Sequence, residues 1–136
     1  MTRIKESVHG STPFQRLIGH NKEVMKAWSQ LGNSLEQDGL LTASLKEQVR
    51  RTMAEGNYCE YCKAKGKPEP KLYDEKMALA VGFAQVYSHY PKGNVPDNIF
   101  NTLSECFSDE EISELLTFIC FTHAQQSFGA LMMLKP

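Results

Sequence analysis

The amino-acid sequence predicts an all-α fold, and the evidence is a helical spacing of apolar residues together with capping residues at the segment ends. Apolar residues recur at intervals of three and four positions, which places them on one face of an α-helix. The two-residue alternation typical of β-strands is not sustained, and the β-branched residues are scattered. We therefore expect about six helices in a single domain over residues 1–136, with residues 1–11 as an N-terminal arm.

The N-terminal part of the chain contains two predicted helices. Thr12 and Pro13 begin the first one, because proline fits the first helical position, and Gly19 ends it. Asn21 caps the second one, which ends at residues 38–39. The apolar face of this second helix consists of Val24, Trp28, Leu31 and Leu35.

The third predicted helix begins at Thr42 or Ser44 and ends at residues 56–57. Glu47 lies in its first turns and is four residues before Arg51, which is the spacing of a surface ion pair. By residue type and position alone, Glu47 is therefore predicted to have a structural role. The buried stripe of this helix consists of Leu45, Val49 and Met53.

A Cys-x-x-Cys motif follows the third helix. Asn57 and Glu60 have the spacing of a capping box, which predicts a helix that begins at Tyr58. This helix would carry Cys59 and Cys62 in its first two turns. Gly66 and Pro68 would end it early.

The C-terminal half of the chain contains three further predicted helices. A helix over residues 74–90 is apolar on most sides, as expected of a central buried helix, and ends at Pro91. A short helix covers residues 98–107, and the capping box of Ser108 and Glu111 begins the last one.

The composition excludes several classes of function. Fifteen Lys and Arg oppose sixteen Asp and Glu, so no global field attracts nucleic acid or anionic lipid. The apolar runs fall short of the ~20 residues that cross a membrane. The N-terminal residues lack the apolar stretch of a secretion signal, and we therefore expect a cytoplasmic location.

The cysteine pair is the feature with the clearest chemistry. Two cysteines three residues apart on a helix share a face and can form a disulfide. The start of a helix favours the thiolate; Lys63 and Lys65 act in the same direction, whereas Glu60 opposes them. Attack of one thiolate on a peroxide would give a sulfenic acid, which the second cysteine would convert to a disulfide.

Other interpretations of this pair remain open at this point. Cys59 and Cys62 could be buried core residues, or a pair without a role. Together with Cys120 and His123 they have the spacing of zinc ligands, but Cys120 and His123 fall in the middle of a predicted helix. We expect no metal and no cofactor, and we expect Cys106 and Cys120 to lie in the core.

The spacing of Glu47, Cys59 and Cys62 resembles the core signature of the carboxymuconolactone decarboxylase and alkylhydroperoxidase D superfamily. The flanks at residues 19–28 and 107–115 are also similar. The resemblance implies an alkylhydroperoxidase D-like helical bundle, a homotrimer or homohexamer, and a peroxidase that reduces hydroperoxides. It also implies that a dithiol protein, lipoylated or thioredoxin-like, restores the thiols.

The resemblance also implies a role for each signature residue. It makes Cys62 the cysteine that reacts with the peroxide, Cys59 its disulfide partner and Glu47 part of a proton relay. The histidine of the signature is replaced here by Gly66. Because proton transfer near neutral pH usually needs histidine, we consider His123 of the last helix as a substitute donor.

Two alternative functions remain open at this point. One is a non-redox, decarboxylase-like member of the superfamily, against which the cysteine pair counts because that reaction does not need it. The other is a helical assembly module whose cysteine pair only senses the redox state.

Overall fold

Seven α-helices make up most of the chain that the computed structural model describes, which is residues 1–90 and 93–136. No strand occurs in these residues, so the predicted all-α class is confirmed. No helix in these two ranges is long and apolar enough to cross a membrane. The helices are α1 (Pro13–Ile18), α2 (Lys22–Glu36), α3 (Ala43–Gly56), α4 (Glu60–Lys63), α5 (Glu75–Tyr87), α6 (Asp97–Ser104) and α7 (Asp109–Leu131).

Most helices begin where the sequence predicts, because their caps are local interactions. Each of four predicted capping side chains accepts a hydrogen bond from the backbone N–H three residues later. The capping box at α7 is complete, since Glu111 also accepts from the Ser108 N–H at 3.0 Å. The four caps are Thr12, Asn21, Thr42 and Ser108.

The helix ends are less accurate than the starts. α5 ends at Tyr87, before the predicted residue 90, and continues as a turn in which the His89 N–H donates to Val86 O at 2.9 Å. The predicted stop at Pro91 lies outside the described residues. α6 ends at Ser104 rather than at residue 107.

The core is built on α3, α5 and α7. α3 packs along α5 on one side and against α7 on another, while α6 covers α5 and α7 and α2 lies on α7. The predicted stripe of Leu45, Val49 and Met53 is buried. The central helix α5 buries Ala80, Val81, Phe83 and Ala84.

The apolar face predicted for α2 is only partly buried. Leu35 is buried, and the Trp28 ring packs against Phe121 with 5.0 Å between ring centroids. Val24 and Leu31 are each 46% exposed. The rest of the chain therefore covers only part of the apolar face of α2.

The prediction that Cys120 lies in the core is wrong, and Cys106 is only half-buried. α7 buries Ile119, and each step along a helix rotates the side chain by about 100°. Cys120 therefore lies on the outer side of α7 and is exposed.

A buried ion pair joins α3 to α7. Lys46 is 1% exposed, and its ammonium donates to Gln37 O at 2.8 Å and lies 3.2 Å from the Glu114 carboxylate. Glu114 also accepts the backbone N–H groups of Leu40 and Leu41 at 3.3 and 2.8 Å. The loop between α2 and α3 is therefore held to α7 through one carboxylate.

Glu114→Gln is expected to destabilise the chain by about 3 kcal/mol, because it leaves the buried Lys46 ammonium without its counter-charge. Urea unfolding at neutral pH measures this loss. Glu110→Gln is the matched control, since Glu110 is an exposed residue of the same helix and its substitution should change the unfolding free energy by less than about 0.5 kcal/mol.

The same pair makes the stability depend on pH. Burial alone would raise the pKa of Glu114, but the N–H groups of Leu40 and Leu41 and the Lys46 charge hold this pKa below its ordinary value of 4.5. The ionised carboxylate therefore stabilises the fold above the unfolded pKa, and this stabilisation is lost as pH falls through the lowered folded pKa. The difference between the parent and Glu114→Gln should shrink as the pH falls below about 4.5; a difference that is constant down to about pH 2 would contradict this assignment.

Candidate functional site

Cys59 and Cys62 form a disulfide at the start of α4, with their Cα atoms 5.2 Å apart. Cys59 is fully buried, whereas Cys62 is 8% exposed. Cys59 is the N-cap of α4, and its Sγ accepts the backbone N–H of Cys62 at 3.2 Å. The spacing in the sequence thus correctly predicts that the two cysteines can form a disulfide. The two residues differ in how much of their surface solvent reaches.

The predicted helix start at Tyr58 is wrong. α4 has only four residues and begins at Glu60, so Cys62 lies inside it and Cys59 precedes it as the N-cap. Asn57 does not cap α4, because it ends α3 and its side-chain amide donates to Gln126 Oε1 at 2.7 Å. This tertiary hydrogen bond displaces the local one that the sequence predicts.

α7 approaches the disulfide closely at Gly129. A Cβ at this position would lie 2.6 Å from the Cys59 sulfur, closer than any real side chain permits. One turn earlier on α7, the buried Gln126 donates to Arg50 O at 3.2 Å. Gly129 and Gln126 therefore fit α7 against both the disulfide and the end of α3.

A cleft of about 250 Å³ opens beside the disulfide. Cys62 lines this cleft, whereas Cys59 is buried away from solvent. The walls come from α1, α2, α3, α4 and α7 and combine aromatic and polar side chains, including Phe14, Trp28, Arg50, Tyr61, Lys65 and Gln125. Of the two cysteines, only Cys62 lines the cleft.

Arg50 joins Glu47 to the cysteine pair. Its Nε and Nη2 donate to the Glu47 carboxylate at distances from 2.6 to 3.1 Å, and its Nη1 donates to Cys62 O at 3.1 Å. Arg51 Nε donates to the same carboxylate at 3.0 Å, so the predicted pair of Glu47 and Arg51 is present. The sequence reasoning missed Arg50, although its position three residues after Glu47 places both on one helical face.

Glu47 reaches the site only through these arginines. Partial burial would raise the pKa of Glu47, but the hydrogen bonds and charges of Arg50 and Arg51 lower it overall. Arg50 lines the cleft, and Glu47 is half-buried outside the cleft wall. The carboxylate is therefore ionised at neutral pH and orients the Arg50 guanidinium.

Lys65 brings a second cation to the cleft. Its ammonium lies 4.7 Å from the centroid of the Tyr61 ring. Partial burial, followed by the nearby charge of Arg50, lowers the pKa of Lys65, although much of the side chain contacts solvent. Lys65 is thus a titratable group in the cleft wall.

Gly66, which stands where the signature that the sequence resembles has a histidine, has a backbone conformation that side chains rarely adopt. Its φ is +131°, and a Cβ there would lie 3.0 Å from the Arg51 guanidinium. α4 has already ended at Lys63, so position 66 belongs to the loop that follows. A histidine at this position would be strained and would press on Arg51.

His123 lies in a different place from the cysteine pair. It is exposed and lines a second cleft of about 500 Å³ together with Met53, Asn57, Tyr87 and His89. Its ring packs edge-on against Tyr87, with 6.0 Å between ring centroids. His123 therefore belongs to the second cleft and does not line the Cys62 cleft.

The zinc interpretation has no assembled ligand set. Among the residues that the structure describes, no group of three or more His, Cys, Asp or Glu side chains could hold a metal ion. Cys120 is on the outer side of α7, and His123 lines the second cleft.

The comparisons with known proteins give no match, neither to a model of a protein family nor to a curated protein.

Gly129→Ala is expected to destabilise the oxidised chain by roughly 1–3 kcal/mol, because the added methyl group overlaps the Cys59 sulfur. Urea unfolding without reductant measures the effect. Gly82→Ala is the matched control, since a Cβ at this helical glycine would meet no atom within 4 Å. The control should be stabilised by about 0.5–1 kcal/mol; equal stability of the Gly129→Ala variant and the parent would contradict the observed contact.

Proposed function

We propose that the chain is a thiol-dependent peroxidase with an alkylhydroperoxidase D-like bundle, and that it reduces hydroperoxides with the pair of Cys59 and Cys62. The observation that carries this proposal is that Cys62, and not Cys59, lines the cleft. Cys62 lines a cleft, whereas Cys59 is buried against Gly129. Cys62 can therefore meet a substrate, and Cys59 is placed to react with its neighbour.

The first step oxidises Cys62. Its thiolate attacks the terminal oxygen of the hydroperoxide, so that an S–O bond forms and the O–O bond breaks. The alkoxide departs as the leaving group, and Cys62 becomes a sulfenic acid. The charge of Lys65 in the cleft wall favours the thiolate. The alkoxide takes its proton from the Lys65 ammonium. Lys65 thus has the role of proton donor that we considered for His123 from the sequence.

The second step forms the disulfide. The Cys59 sulfur attacks the Cys62 sulfur, the S–O bond breaks, and hydroxide leaves with the thiol proton as water. The Cys62 N–H that contacts Cys59 Sγ stabilises the Cys59 thiolate, both when it attacks and when it is released on reduction. An external dithiol then gives up two electrons and two protons, which restores both thiols.

We propose that Glu47 acts through Arg50. The resemblance to the superfamily implies a proton relay, but a carboxyl with a lowered pKa is a poor proton carrier near neutral pH. Its contacts with Arg50 support a positioning role, because Arg50 binds the Cys62 carbonyl and lines the cleft.

We further propose that the enzyme is a cytoplasmic homotrimer or homohexamer. The exposed apolar side chains of Val24 and Leu31 on α2 support an interface on that helix. The reductant is a dithiol protein, lipoylated or thioredoxin-like, as the resemblance implies. The cytoplasm keeps such dithiols reduced.

Hydroperoxide consumption in the presence of dithiothreitol tests the assignment of the two cysteines. The parent should turn over, and Cys62→Ser should lose at least about 100-fold of the activity because the reacting thiolate is absent. Cys59→Ser should still form one sulfenic acid per chain, which dimedone traps. Cys120→Ser, at an exposed cysteine outside the cleft, is the control and should retain full activity.

The alternative functions give different results in this experiment. If the thiols stay reduced under peroxide, the peroxidase proposal fails and a non-redox member of the superfamily is favoured. If a disulfide forms but dithiothreitol supports no turnover, the redox-sensing module is favoured.

Glu47→Gln separates positioning from proton relay. If Glu47 positions Arg50, kcat/KM should fall by about tenfold at every pH between roughly 6 and 9, and Arg50→Lys should show a similar loss. A proton relay would instead remove one limb of the pH profile. Glu69→Gln is the control, because Glu69 contacts Arg51 and its loss leaves the bonds of Arg50 intact.

A further inference from the structure

The loop after α4 places a row of lysines next to the disulfide. We call Lys63, Lys65 and Lys67 the basic rim; Lys65 and Lys67 are exposed, and Lys63 is half-buried. Lys65 lines the Cys62 cleft, and Lys67 is held nearby because its carbonyl accepts from Arg51 at 3.2 Å. Within the two described ranges, no carboxylate lies at ion-pair distance from any of the three.

Most neighbouring charges do not cancel the basic rim. Glu47 is paired with Arg50 and Arg51, and Glu69 is paired with Arg51 at 2.6 Å, so these side chains neutralise one another. Two carboxylates remain, the exposed Glu60 between the cysteines and Glu36 in the opposite wall of the cleft. Because the whole chain has a net charge of −1, the positive charge of the rim is local to the disulfide.

Tyr58 adds an exposed aromatic ring to the same region. It precedes Cys59, is 88% exposed, and has a φ of +46°, which is unusual for a residue other than glycine. Tyrosine is enriched at protein interfaces because it offers a large contact area and a polar tip. A ring held in solvent beside the disulfide is available to a docking protein.

We propose that Tyr58 and the basic rim dock a reductant protein whose dithiol is surrounded by acidic side chains. This inference rests on the proposed function and names the partner by its charge. The partner thiolate attacks the Cys62 sulfur, an intermolecular S–S bond forms, and Cys59 leaves as the thiolate. The second thiol of the partner then resolves the mixed disulfide, so the partner is oxidised and both cysteines are reduced.

The test uses three dithiol peptides of equal length, in which the same Cys-Gly-Pro-Cys segment is flanked by Glu, Ser or Lys. The rate of reduction of the oxidised chain is measured with each peptide at low and high salt. For the parent, the Glu peptide should react about tenfold faster than the Lys peptide at low salt, and this preference should fall to about twofold near 0.5 M salt. If the preference of the parent chain for the Glu peptide does not change with salt, the proposal is wrong, and this result needs no variant.

Charge-reversal variants test whether the peptide preference arises at the basic rim. Lys63→Glu with Lys67→Glu should reverse the preference, and each peptide is compared with itself, so its own thiol reactivity cancels. Lys65 is left unchanged because it lines the cleft. Lys5→Glu with Lys22→Glu changes the net charge equally at exposed residues near the start of α2 and should keep the parent preference.

Dithiothreitol separates failure of the docking proposal from failure of the proposed function. If dithiothreitol supports peroxide turnover in all variants but the peptide preference is the same in each, docking at the basic rim is wrong and the peroxidase remains. If dithiothreitol supports no turnover in the parent, the proposed function itself fails.

Discussion

The ion pair between Lys46 and Glu114 is the constraint on which the site depends. A buried ammonium without a counter-charge costs several kcal/mol, so α3 and α7 can pack only in a register that brings these two residues together. Helices are stiff, and the fifteen residues from Glu114 to Gly129 span about 22 Å of α7. The ion pair therefore fixes the position of α7 along α3. At the far end of this contact, Gln126 lies against Arg50 and Gly129 lies against the disulfide.

Arg50 links the packing of α3 to the position of Cys62 in the cleft. A guanidinium holds its donors in a rigid plane, so bonds to the Glu47 carboxylate on one side fix the direction of the bond to the Cys62 carbonyl on the other. The same pairing neutralises Glu47. The positive charge that remains for a thiolate therefore comes from Lys65, and Lys63 and Lys67 add charge for a partner; none of the three has a carboxylate at ion-pair distance among the described residues.

The features that the sequence predicts correctly are those decided by nearby residues, such as the cap at Thr42 and the stripe through Val49. Predictions failed where a distant group competes. Asn57 has the spacing of a cap, but its amide bonds to Gln126, which lies 69 residues away. Gly129 interrupts a long apolar helix, and a glycine inside a helix is a signal for close approach; its partner, the Cys59 sulfur, is known only once the chain has folded.

The backbone of Gly66 and the lysines around it belong to one loop, which follows α4. At Gly66 the chain takes a φ of +131°, which turns the loop back toward α3, where Arg51 binds the Lys67 carbonyl and the Glu69 carboxylate. A histidine at this position would oppose that turn, both by its Cβ and by its contact with Arg51. The same loop carries Lys65, which lines the cleft together with Cys62 and whose pKa is lowered by partial burial.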